Sequence, residues 1–516
     1  MLAALTARLR FRQAEVDSGQ KKASKLPDDE RQLLFDMFMH LSYMASLATA
    51  RVSRNKLFEE AALLHLSSTQ YFKDIQSLAD KLAIDYAEAC RMVAERSSNP
   101  EMAALLLRTA GSLASGEDEA EFLTREASAL ADQYASRYER DVESLKKWTD
   151  GYVALVVSVG LVVIVSIISM MIYSIGNTFL IGVTGTGCAV IGIGAWILYT
   201  SSPKEVFARR VGLTSQLQKN AAFLFKTVFP AGAAIAAIVS VVAGLGPALI
   251  VLGVALMPSG LLMSIDAKRM SKRDSDVAIL VRILGGVTSA IGTTVTEALG
   301  KIDRRSMPAL AADLRTLEIR LKAGIRGDIC WQRFVSDSGS EVIDRTVKIF
   351  YDSVAAGGEP GQVGRTASFY ASRIAYLREK RALVATTFGY LLPPLHASIV
   401  GLLVFIIHVL GLFSTTLLKT APETGSVGGA MNGASASAVA SIGAFTSLNI
   451  AFLNVLVMAV ALVLTLGNGW VTTVVSGGHR LRMAYSFSFM CLITGALMTV
   501  LPGVANKVFE SITATP

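Results

Sequence analysis

Long apolar stretches divide the chain into membrane-like and polar segments. Residues 151–200 contain no Asp, Glu, Lys or Arg, and a charge-free apolar run of about 18 or more residues is typical of a transmembrane helix. Buried helices of soluble proteins rarely run so long without a charge. The pattern predicts seven spans, at 151–175, 179–200, 227–245, 247–265, 384–412, 448–466 and 483–504. The ends of the sixth span are the least defined, because residues 424–479 are all uncharged.

The polar segments contain a repeated sequence. "DIQSLADKL" (74–82) is matched without a gap by "DLRTLEIRL" (313–321), 239 residues later. Leucine and isoleucine recur three and four residues apart in both, which is the spacing of one helical stripe. "ASGEDEAEF" (114–122) is matched by "AGGEPGQVG" (356–364), 242 residues later. An ordered series of matches at nearly constant spacing predicts an internal duplication.

Turn signals indicate that each copy is a small helical bundle. "SSNP" begins at Ser97, "SGED" at Ser115, "DSGS" at Asp337 and "GGEPG" at Gly357. Glycine is favoured where the chain leaves a helix with positive φ, and Ser, Asp or Pro is favoured where the next helix begins. The helical pattern after the last turn of each copy continues into a membrane span, and Pro393 and Pro394 are expected to kink the second of these helices.

The chain is therefore predicted to be an all-α polytopic membrane protein with two homologous cytoplasmic helical bundles. Its predicted segments are an N-terminal segment (1–30), a first bundle (31–150), four spans with a basic loop at 201–226 (151–265), a second bundle (266–383), three spans (384–504) and a C-terminal tail (505–516).

The distribution of basic residues predicts the orientation. With a cytoplasmic N-terminus, the inner segments hold 47 of the 49 Lys and Arg residues, and only Lys419 and Lys507 lie outside. This agrees with the positive-inside rule. No secretory signal peptide is recognisable at the start of the sequence. We expect a multi-pass protein of the cell membrane with a cytoplasmic N-terminus, an extracytoplasmic C-terminus and one long outer loop, 413–447, rich in Gly, Ala and Ser.

Composition and motifs exclude some classes of function but do not identify one. The net charge of +8 follows mostly from topology, and no nucleic-acid-binding motif accompanies it. The four cysteines, Cys90, Cys188, Cys330 and Cys491, form no CxxC pair. They are interpreted as buried free thiols, neither a disulfide nor a zinc framework.

No pattern typical of catalysis is present. The sequence has no GxxxxGK[ST] phosphate loop and no HExxH metal motif, so we expect no catalytic residues, no cofactor, no metal and no enzymatic activity. His396 and His408 lie in the fifth predicted span, where an ionisable group is costly and often functional. They are interpreted either as part of a proton path or, because no span carries a deep charged partner, as neutral hydrogen-bonded histidines.

The predicted bundles differ in charge. Residues 1–150 hold 20 basic and 24 acidic residues, whereas residues 266–383 hold 20 basic and 14 acidic residues. Six cations cluster in the second segment: Arg304, Arg305, Arg315, Arg320, Lys322 and Arg326. They are either a juxtamembrane surface attracted to anionic lipid or a docking site for an acidic cytoplasmic partner.

Part of the sequence resembles the type II secretion F domain, a duplicated helical bundle. The Gly-Glu-x-x-Gly-x-Leu turn of that family is matched loosely by Gly358, Glu359, Gly361 and Val363. The first copy keeps only the initial pair, Gly116-Glu117, and has diverged.

The whole chain resembles the archaeal platform proteins of the archaellum and related type IV pili, the FlaJ or ArlJ type. The resemblance is carried by "LSYMASLATARVSRNKLFEEA" (41–61) and "YERDVESLKKWTDGYVALVVSVGLVVIVSIISMMI" (138–172), and it covers about residues 30–504. Many archaellum relatives have a span before the first bundle and this chain has none, which leaves another pilus open.

The resemblance implies a non-enzymatic membrane platform for filament assembly, with rotation added in archaella. Its implied partners are a hexameric secretion ATPase docked on the bundles, archaellin or pilin subunits, the lipid bilayer and a second copy in a homodimer, with no nucleic acid. The six clustered cations are the candidate ATPase-docking residues.

Two other function classes remain open. A transporter or channel would fit seven spans and the Gly- and Ser-rich sixth region, but it needs midplane polar groups, and Asn449 and Asn454 are the only amides in the sixth predicted span. A membrane signalling receptor is disfavoured by the small outer face.

Overall fold

The computed structural model describes residues 30–172, 177–203, 216–424, 450–478 and 480–513, and in these residues the regular elements are all helices. Most of the predicted N-terminal segment, the basic-loop residues Lys204, Arg209 and Arg210, and His479 lie outside the described residues. The predicted all-α class is confirmed.

Two series of helices account for the polar segments, and each series ends in a very long helix. The first series is α1 (Glu30–Ala48), α2 (Arg54–Ala62), α3 (Thr69–Leu82), α4 (Tyr86–Arg96), α5 (Pro100–Ser115) and α6 (Glu119–Ile172). Between the series lie α7 (Asn177–Ser201) and α8 (Gln216–Val242). The second series is α9 (Leu245–Ile291), α10 (Val295–Lys301), α11 (Ala311–Lys322), α12 (Gly327–Ser338), α13 (Glu341–Ala355) and α14 (Pro360–Thr424). The chain continues with α15 (Ile450–Ser476) and α16 (Met483–Thr513).

The starts of the last three helices repeat at a fixed spacing. α4, α5 and α6 begin at residues 86, 100 and 119, and α12, α13 and α14 each begin 241 residues after their counterpart. The helix order therefore repeats as the matched sequence segments predict. The assignment of the two series to two separate cytoplasmic bundles stays a prediction.

Local sequence explains where the short helices begin and end. Asn99 caps α5 by accepting a hydrogen bond from the backbone N–H of Met102, and Pro100 occupies the first turn. Gly116, Gly339 and Gly357 follow their helices with φ of 72°, 70° and 97°, a region that glycine adopts at little cost. The turns predicted from these residues are confirmed.

The described helices of both series contribute to one compact unit, made of Met1–Ser136, Ser275–Trp331 and Val342–Arg373. Phe35 on α1 packs against Tyr134 of α6, with ring centroids 5.4 Å apart. Phe38 packs against Tyr370 of α14 at 5.0 Å. Because α1 and α6 belong to the first series and α14 to the second, the two series share a hydrophobic core.

The second unit, made of Arg137–Asp274, Gln332–Glu341 and Ile374–Pro516, contains the apolar helix segments. Its core includes Val156, Ile191, Leu403, Val457 and Met490, one each from α6, α7, α14, α15 and α16. Large apolar side chains also cover the outside of the unit, as on α8, where Val241 and Val242 are 86% and 82% exposed. A soluble protein rarely exposes so much apolar surface, whereas lipid covers it in a membrane.

Seven described helices are long and apolar enough to cross a membrane: α6, α7, α8, α9, α14, α15 and α16. The predicted number of spans is confirmed. α6 and α14 are continuous from the polar segment into the apolar one, over 54 and 65 residues, as the unbroken helical pattern predicts. α9 likewise joins the fourth predicted span to the second polar segment without interruption.

Several helices extend beyond the ends of the predicted spans. Residues 413–424, expected in the outer loop, belong to α14, and the rest of that loop through residue 447 lies outside the described residues. α15 ends at Ser476 and not at 466, and α16 includes most of the predicted tail. Residues 216–226 belong to α8 and not to the basic loop. Uncharged or amphipathic residues beside a span carry no signal that stops a helix, so hydropathy alone does not predict these helix ends.

Glycines allow α9 and α16 to pack closely. Gly246, Gly253 and Gly260 lie seven residues apart on α9 and face α16. A Cβ at Gly260 would overlap the backbone nitrogen of Tyr485. The hydroxyl of Ser488 donates to the carbonyl oxygen of Gly253 at 2.7 Å. Small residues at this spacing let membrane helices approach each other, where packing rather than the hydrophobic effect drives association.

Replacement of Gly260 by alanine is expected to destabilise the protein by about 1–3 kcal/mol, because the added methyl group overpacks the contact. The matched control is Gly286→Ala on the same helix, where a Cβ would meet nothing within 4 Å and the gain in helix propensity is about 0.5–1 kcal/mol. Thermal unfolding of the two purified variants in detergent measures the difference. Equal melting temperatures would contradict the close packing of α9 on α16.

Candidate functional site: an exposed basic surface and buried polar clusters

The six predicted docking cations lie on neighbouring turns of the second series. Arg304 and Arg305 are in a 3-10 turn (Arg304–Ser306), Arg315, Arg320 and Lys322 are on α11, and Arg326 precedes α12. Arg305, Arg315, Lys322 and Arg326 are exposed, and Arg304 and Arg320 are half-buried. We call these six residues the basic surface.

Two carboxylates neutralise part of the basic surface. Glu318 pairs with Arg304 on one oxygen and with Lys322 on the other, at 2.7 Å for the lysine. Arg326 makes two hydrogen bonds to Asp328, at 2.7 and 3.2 Å. Glu318 thereby holds two of the predicted residues side by side. The surface keeps an excess of positive charge because residues 303–328 hold six cations and four carboxylates, Asp303, Asp313, Glu318 and Asp328.

Arg305 and Arg315 are the most available cations of the basic surface. Both are exposed, and the structure gives neither guanidinium an ion pair with a described residue. An exposed, unpaired guanidinium can bind a carboxylate of a partner through two parallel hydrogen bonds. Arg305 and Arg315 are therefore the strongest candidates for partner binding among the six predicted residues.

Three exposed isoleucines are interleaved with the basic surface, which the sequence reasoning missed. Ile319, Ile325 and Ile329 are 59%, 45% and 49% exposed. Ile319 lies four residues after Arg315 and three before Lys322, so all three share one face of α11. Apolar side chains surrounded by cations are typical of protein-binding surfaces. In the sequence, the signal that could have identified this apolar surface is the recurrence of isoleucine among the clustered Lys and Arg residues.

A buried ion pair joins the two helix series in the first unit. Nη1 of Arg345 on α13 donates to Oδ1 of Asp36 on α1 at 2.8 Å, and the side chains are 8% and 2% exposed. The other oxygen of Asp36 accepts from the backbone N–H and the hydroxyl of Ser67, at 2.9 and 2.6 Å. The guanidinium also lies 4.4 Å from the ring centre of Phe35. In the sequence, the feature that could have predicted this buried pair is a single carboxylate in the apolar run "LLFDMFMHL".

His40, one turn after Asp36 on α1, is a structural residue. Its ring stacks on Phe72 at 3.9 Å between centroids, and Nδ1 lies 2.9 Å from the hydroxyl oxygen of Ser68. Burial lowers the pKa of His40 to about 3. The ring is neutral at physiological pH and holds no charge for partner binding.

A second buried ion pair lies in the other unit. Arg378 on α14 donates to Asp274 on α9 at 2.8 Å, with side chains 9% and 4% exposed. Ser340 also hydrogen-bonds to Asp274. The pair fixes α14 against α9 just beyond the apolar segments.

Arg381, one turn after Arg378, binds the ends of two membrane helices. Its guanidinium donates to the carbonyl oxygens of Pro203, Val474 and Val475 and to the hydroxyl of Ser202, at 2.8–3.3 Å. These acceptors lie at the carboxyl ends of α7 and α15, where backbone carbonyls lack helical partners and the helix dipoles are negative. Arg381 therefore caps both helices at once.

Five uncharged side chains form a buried hydrogen-bonded chain among the apolar helices. Tyr152 donates to Oδ1 of Asn468 at 2.9 Å, and Nδ2 of Asn468 lies 3.1 Å from Nδ1 of His396. Nε2 of His396 lies 2.8 Å from the hydroxyl of Thr494, which lies 2.7 Å from that of Thr465. Donors and acceptors alternate consistently when His396 is neutral with its hydrogen on Nε2. This favours the interpretation of His396 as a hydrogen-bonded structural residue, and His408 takes no part in the chain.

The structure offers no grouping typical of a metal site. Within the described residues, no three His, Cys, Asp or Glu side chains lie close enough together to hold a metal ion. Cys90, Cys330 and Cys491 are buried free thiols, as predicted, whereas Cys188 is a free thiol that is only half-buried. The exposed basic surface is thus the candidate site with the clearest capacity to bind a partner.

Comparison with known proteins gives two archaeal relatives. The chain is similar to proteins named flagella accessory protein J. It is 26% identical to that of Methanocaldococcus jannaschii over 318 residues, which are 59% of this chain and 56% of the relative. It is 24% identical to that of Methanococcus voltae over 319 residues, 57% of this chain and 55% of the relative. The chain spans about half the length of the curated relatives it matches. No family model and no solved structure matches the chain.

Loss of one partner of the Asp36–Arg345 pair is expected to be costly. Asp36→Leu leaves a buried guanidinium unpaired, which costs about 3–5 kcal/mol of the free energy of unfolding. The double variant Asp36→Leu/Arg345→Met is expected to recover most of that loss, because no buried charge remains. Hydrogen exchange or thermal unfolding of the full chain in detergent measures both.

The matched control uses an exposed pair that likewise joins the two helix series, here α6 to α14. Asp132 pairs with Arg373 at 2.7 Å, and its side chain is 69% exposed. Asp132→Leu is expected to cost at most about 1 kcal/mol. If Asp36→Leu costs no more than Asp132→Leu, the buried pair does not stabilise the shared core.

Proposed function

We propose that this chain is the integral membrane platform for assembly of an archaellum or a related type IV pilus-like filament. In this role it couples a cytoplasmic secretion ATPase to the insertion of archaellin or pilin subunits, and it does so as a homodimer without catalysing a reaction itself. The observation that carries the proposal is the similarity to two archaeal flagella accessory proteins over more than half of the chain.

The continuous helices support a mechanical role. α6 and α14 each run without interruption from a polar segment into an apolar one. A continuous helix transmits a displacement along its axis better than two helices joined by a loop. A platform moved by a motor needs a connection of this kind.

The basic surface supports docking of an acidic protein partner. Arg305 and Arg315 supply exposed positive charge, and Ile319, Ile325 and Ile329 supply apolar contact area beside it. Such a combination gives both electrostatic steering and burial on binding. Glu318 and Asp328 within the same surface favour a partner with a defined charge pattern over a uniformly anionic lipid layer. We assign the secretion ATPase to this surface.

Charge reversal at the basic surface is expected to weaken ATPase binding. The variant Arg305→Glu/Arg315→Glu removes the two unpaired cations and leaves the ion pairs of Arg304, Lys322 and Arg326 in place. Affinity for the purified ATPase, measured with the full chain in nanodiscs at about 0.15 M salt, is expected to fall at least about tenfold. The variant Lys73→Glu/Lys81→Glu makes the same charge change at exposed positions of α3 and is expected to bind normally. Unchanged affinity of the first variant removes the basic surface from the docking site.

Deletion of the gene tests the platform role itself. Electron microscopy of the deleted cells is expected to show loss of one class of surface filament, and light microscopy shows whether swimming is lost with it. Loss of both indicates an archaellum platform, whereas loss of thin filaments with intact swimming indicates a pilus platform. Persistence of every filament in a strain that encodes no second copy contradicts the proposal.

A further inference from the structure

Two of the long helices, α6 and α14, pack side by side in the second unit. At the polar end of the contact, Nζ of Lys380 donates to Oε1 of Glu139 at 2.6 Å. Farther along both helices, the rings of Tyr152 and Phe388 lie with their centroids 6.4 Å apart. The contact between the helices therefore extends from the charged part of the unit into its apolar part.

The partners in this contact advance in the same direction along both helices. The ion pair joins residues that are 241 apart, and the two aromatic rings are separated by nearly the same number of residues. In an antiparallel pair this separation would change with every step along the contact, so α6 and α14 are parallel and in register. In the first unit, Arg373 binds Asp132 at 2.7 Å, again across 241 residues.

A glycine holds the register in the apolar part. Gly160 on α6 is buried, and a Cβ there would lie 2.8 Å from Cγ2 of Ile399 on α14. Ile399 thus occupies a space that only glycine provides. One turn away on either side, α6 carries Val156 and Ile164. A shift by one turn would therefore press Ile399 against a branched side chain in a closely packed core.

Hydrogen bonds through α15 join the same two helices. The hydroxyl of Tyr152 donates to Oδ1 of Asn468 at 2.9 Å, and Nδ2 of Asn468 lies 3.1 Å from Nδ1 of His396 on α14. A shift of α6 along α14 would break this connection. Buried polar groups would then lose their partners, which is costly in apolar surroundings. The glycine contact and the hydrogen bonds therefore oppose the same movement.

The ion pair at the polar end contributes less to the register. Glu139 and Lys380 are 43% and 39% exposed, and ion pairs this accessible to water add little to stability. The register of the two helices thus depends mainly on the apolar part, where a substitution of Gly160 tests it.

We propose that, in the platform role proposed above, on which this inference rests, α6 and α14 act as one two-helix lever. The lever is held in register by the contact of Gly160 with Ile399 and by the hydrogen bonds through Asn468. The two helix series then do not drive the membrane helices separately. A load applied at either series reaches α15 through both helices at once, because Asn468 binds a residue of each.

The first test measures the distance between α6 and α14 in the full chain in nanodiscs. Spin labels are attached through Glu143→Cys and Glu379→Cys, at exposed positions of the two helices, in a chain that also carries Cys188→Ala. Pulsed electron spin resonance is expected to give a single distance maximum, which stays in place when the purified ATPase and ATP are added. Two maxima in the chain alone, or a shift of the maximum on addition of the ATPase, overturn the lever.

Three variants test the glycine contact by the same measurement. Gly160→Ala is expected to shift or broaden the distance distribution. Gly151→Ala adds a Cβ to the same helix where nothing lies within 4 Å, and it is expected to leave the distribution unchanged. The double variant Gly160→Ala/Ile399→Ala removes the overlapping methyl group and is expected to restore the single maximum. A distribution in Gly160→Ala that equals that of the wild type overturns the glycine contact as the element that holds the register.

The same variants, expressed at equal membrane levels in the gene-deleted strain, separate the lever from the platform role. Electron microscopy is expected to show loss of most filaments with Gly160→Ala and normal filaments with Gly151→Ala and with the double variant. Normal filaments with Gly160→Ala contradict the use of the lever in assembly. If deletion of the gene removes no filament, the platform role fails, whereas the distances measured in nanodiscs still decide whether α6 and α14 are held together.

Discussion

A bilayer core offers no hydrogen-bond partners, and the rest of the structure depends on how the backbone meets that constraint. Within each apolar helix most interior carbonyls accept from an N–H one turn later, but the carbonyls one turn before Pro230, Pro258 and Pro502 and the last carbonyls at each carboxyl end do not. In this protein one side chain, Arg381, caps the carboxyl ends of both α7 and α15 by donating to carbonyl oxygens of each. Because Arg381 belongs to α14, three membrane helices are fixed together at one level, and the turn after α15 needs Gly477 to leave room for the guanidinium.

In the first unit, two similar helix series pack into a single core. Two bundles that merely touched would meet through an exposed, polar contact. Here Asp36 and Arg345 are buried as a pair, and Phe38 reaches Tyr370 across the series. A buried pair contributes little net stability when complete but is costly when half is removed. The pair therefore acts mainly on the specificity of helix packing. Asp36 and Arg345 are both satisfied only in the helix register that brings the carboxylate to the guanidinium.

The sequence predicts much of this fold because its signals are strong where the physical cost is high. A charge inside a span is costly, so all seven predicted spans lie within five long charge-free runs. Positive φ is costly for most residues, so Gly116, Gly339 and Gly357 mark turns. Helix ends in uncharged sequence have no comparable cost, which is why α14 and α15 extend beyond their predicted limits. The contacts of Arg345, Arg381 and Gly260 depend on residues far away in sequence, and a single sequence does not reveal which partners the fold brings to them. Within the basic surface, the cluster was visible in the sequence, but the neutralisation of Arg304 and Lys322 by Glu318 was not.

The fixed spacing of 241 residues between three pairs of helix starts has a consequence for the history of the gene. The residues of the two series have diverged, and the bundle turn that reads Gly-Glu-Pro-Gly at Gly358 in one reads Gly-Glu-Asp-Glu at Gly116 in the other. The spacing of the helix starts from α4 to α6 and from α12 to α14 has nevertheless stayed the same. Since the two series share one core, an insertion in one copy would shift every later helix against a partner that had not changed. Substitutions have accumulated between the two series, whereas the spacing of these three helix starts has been kept.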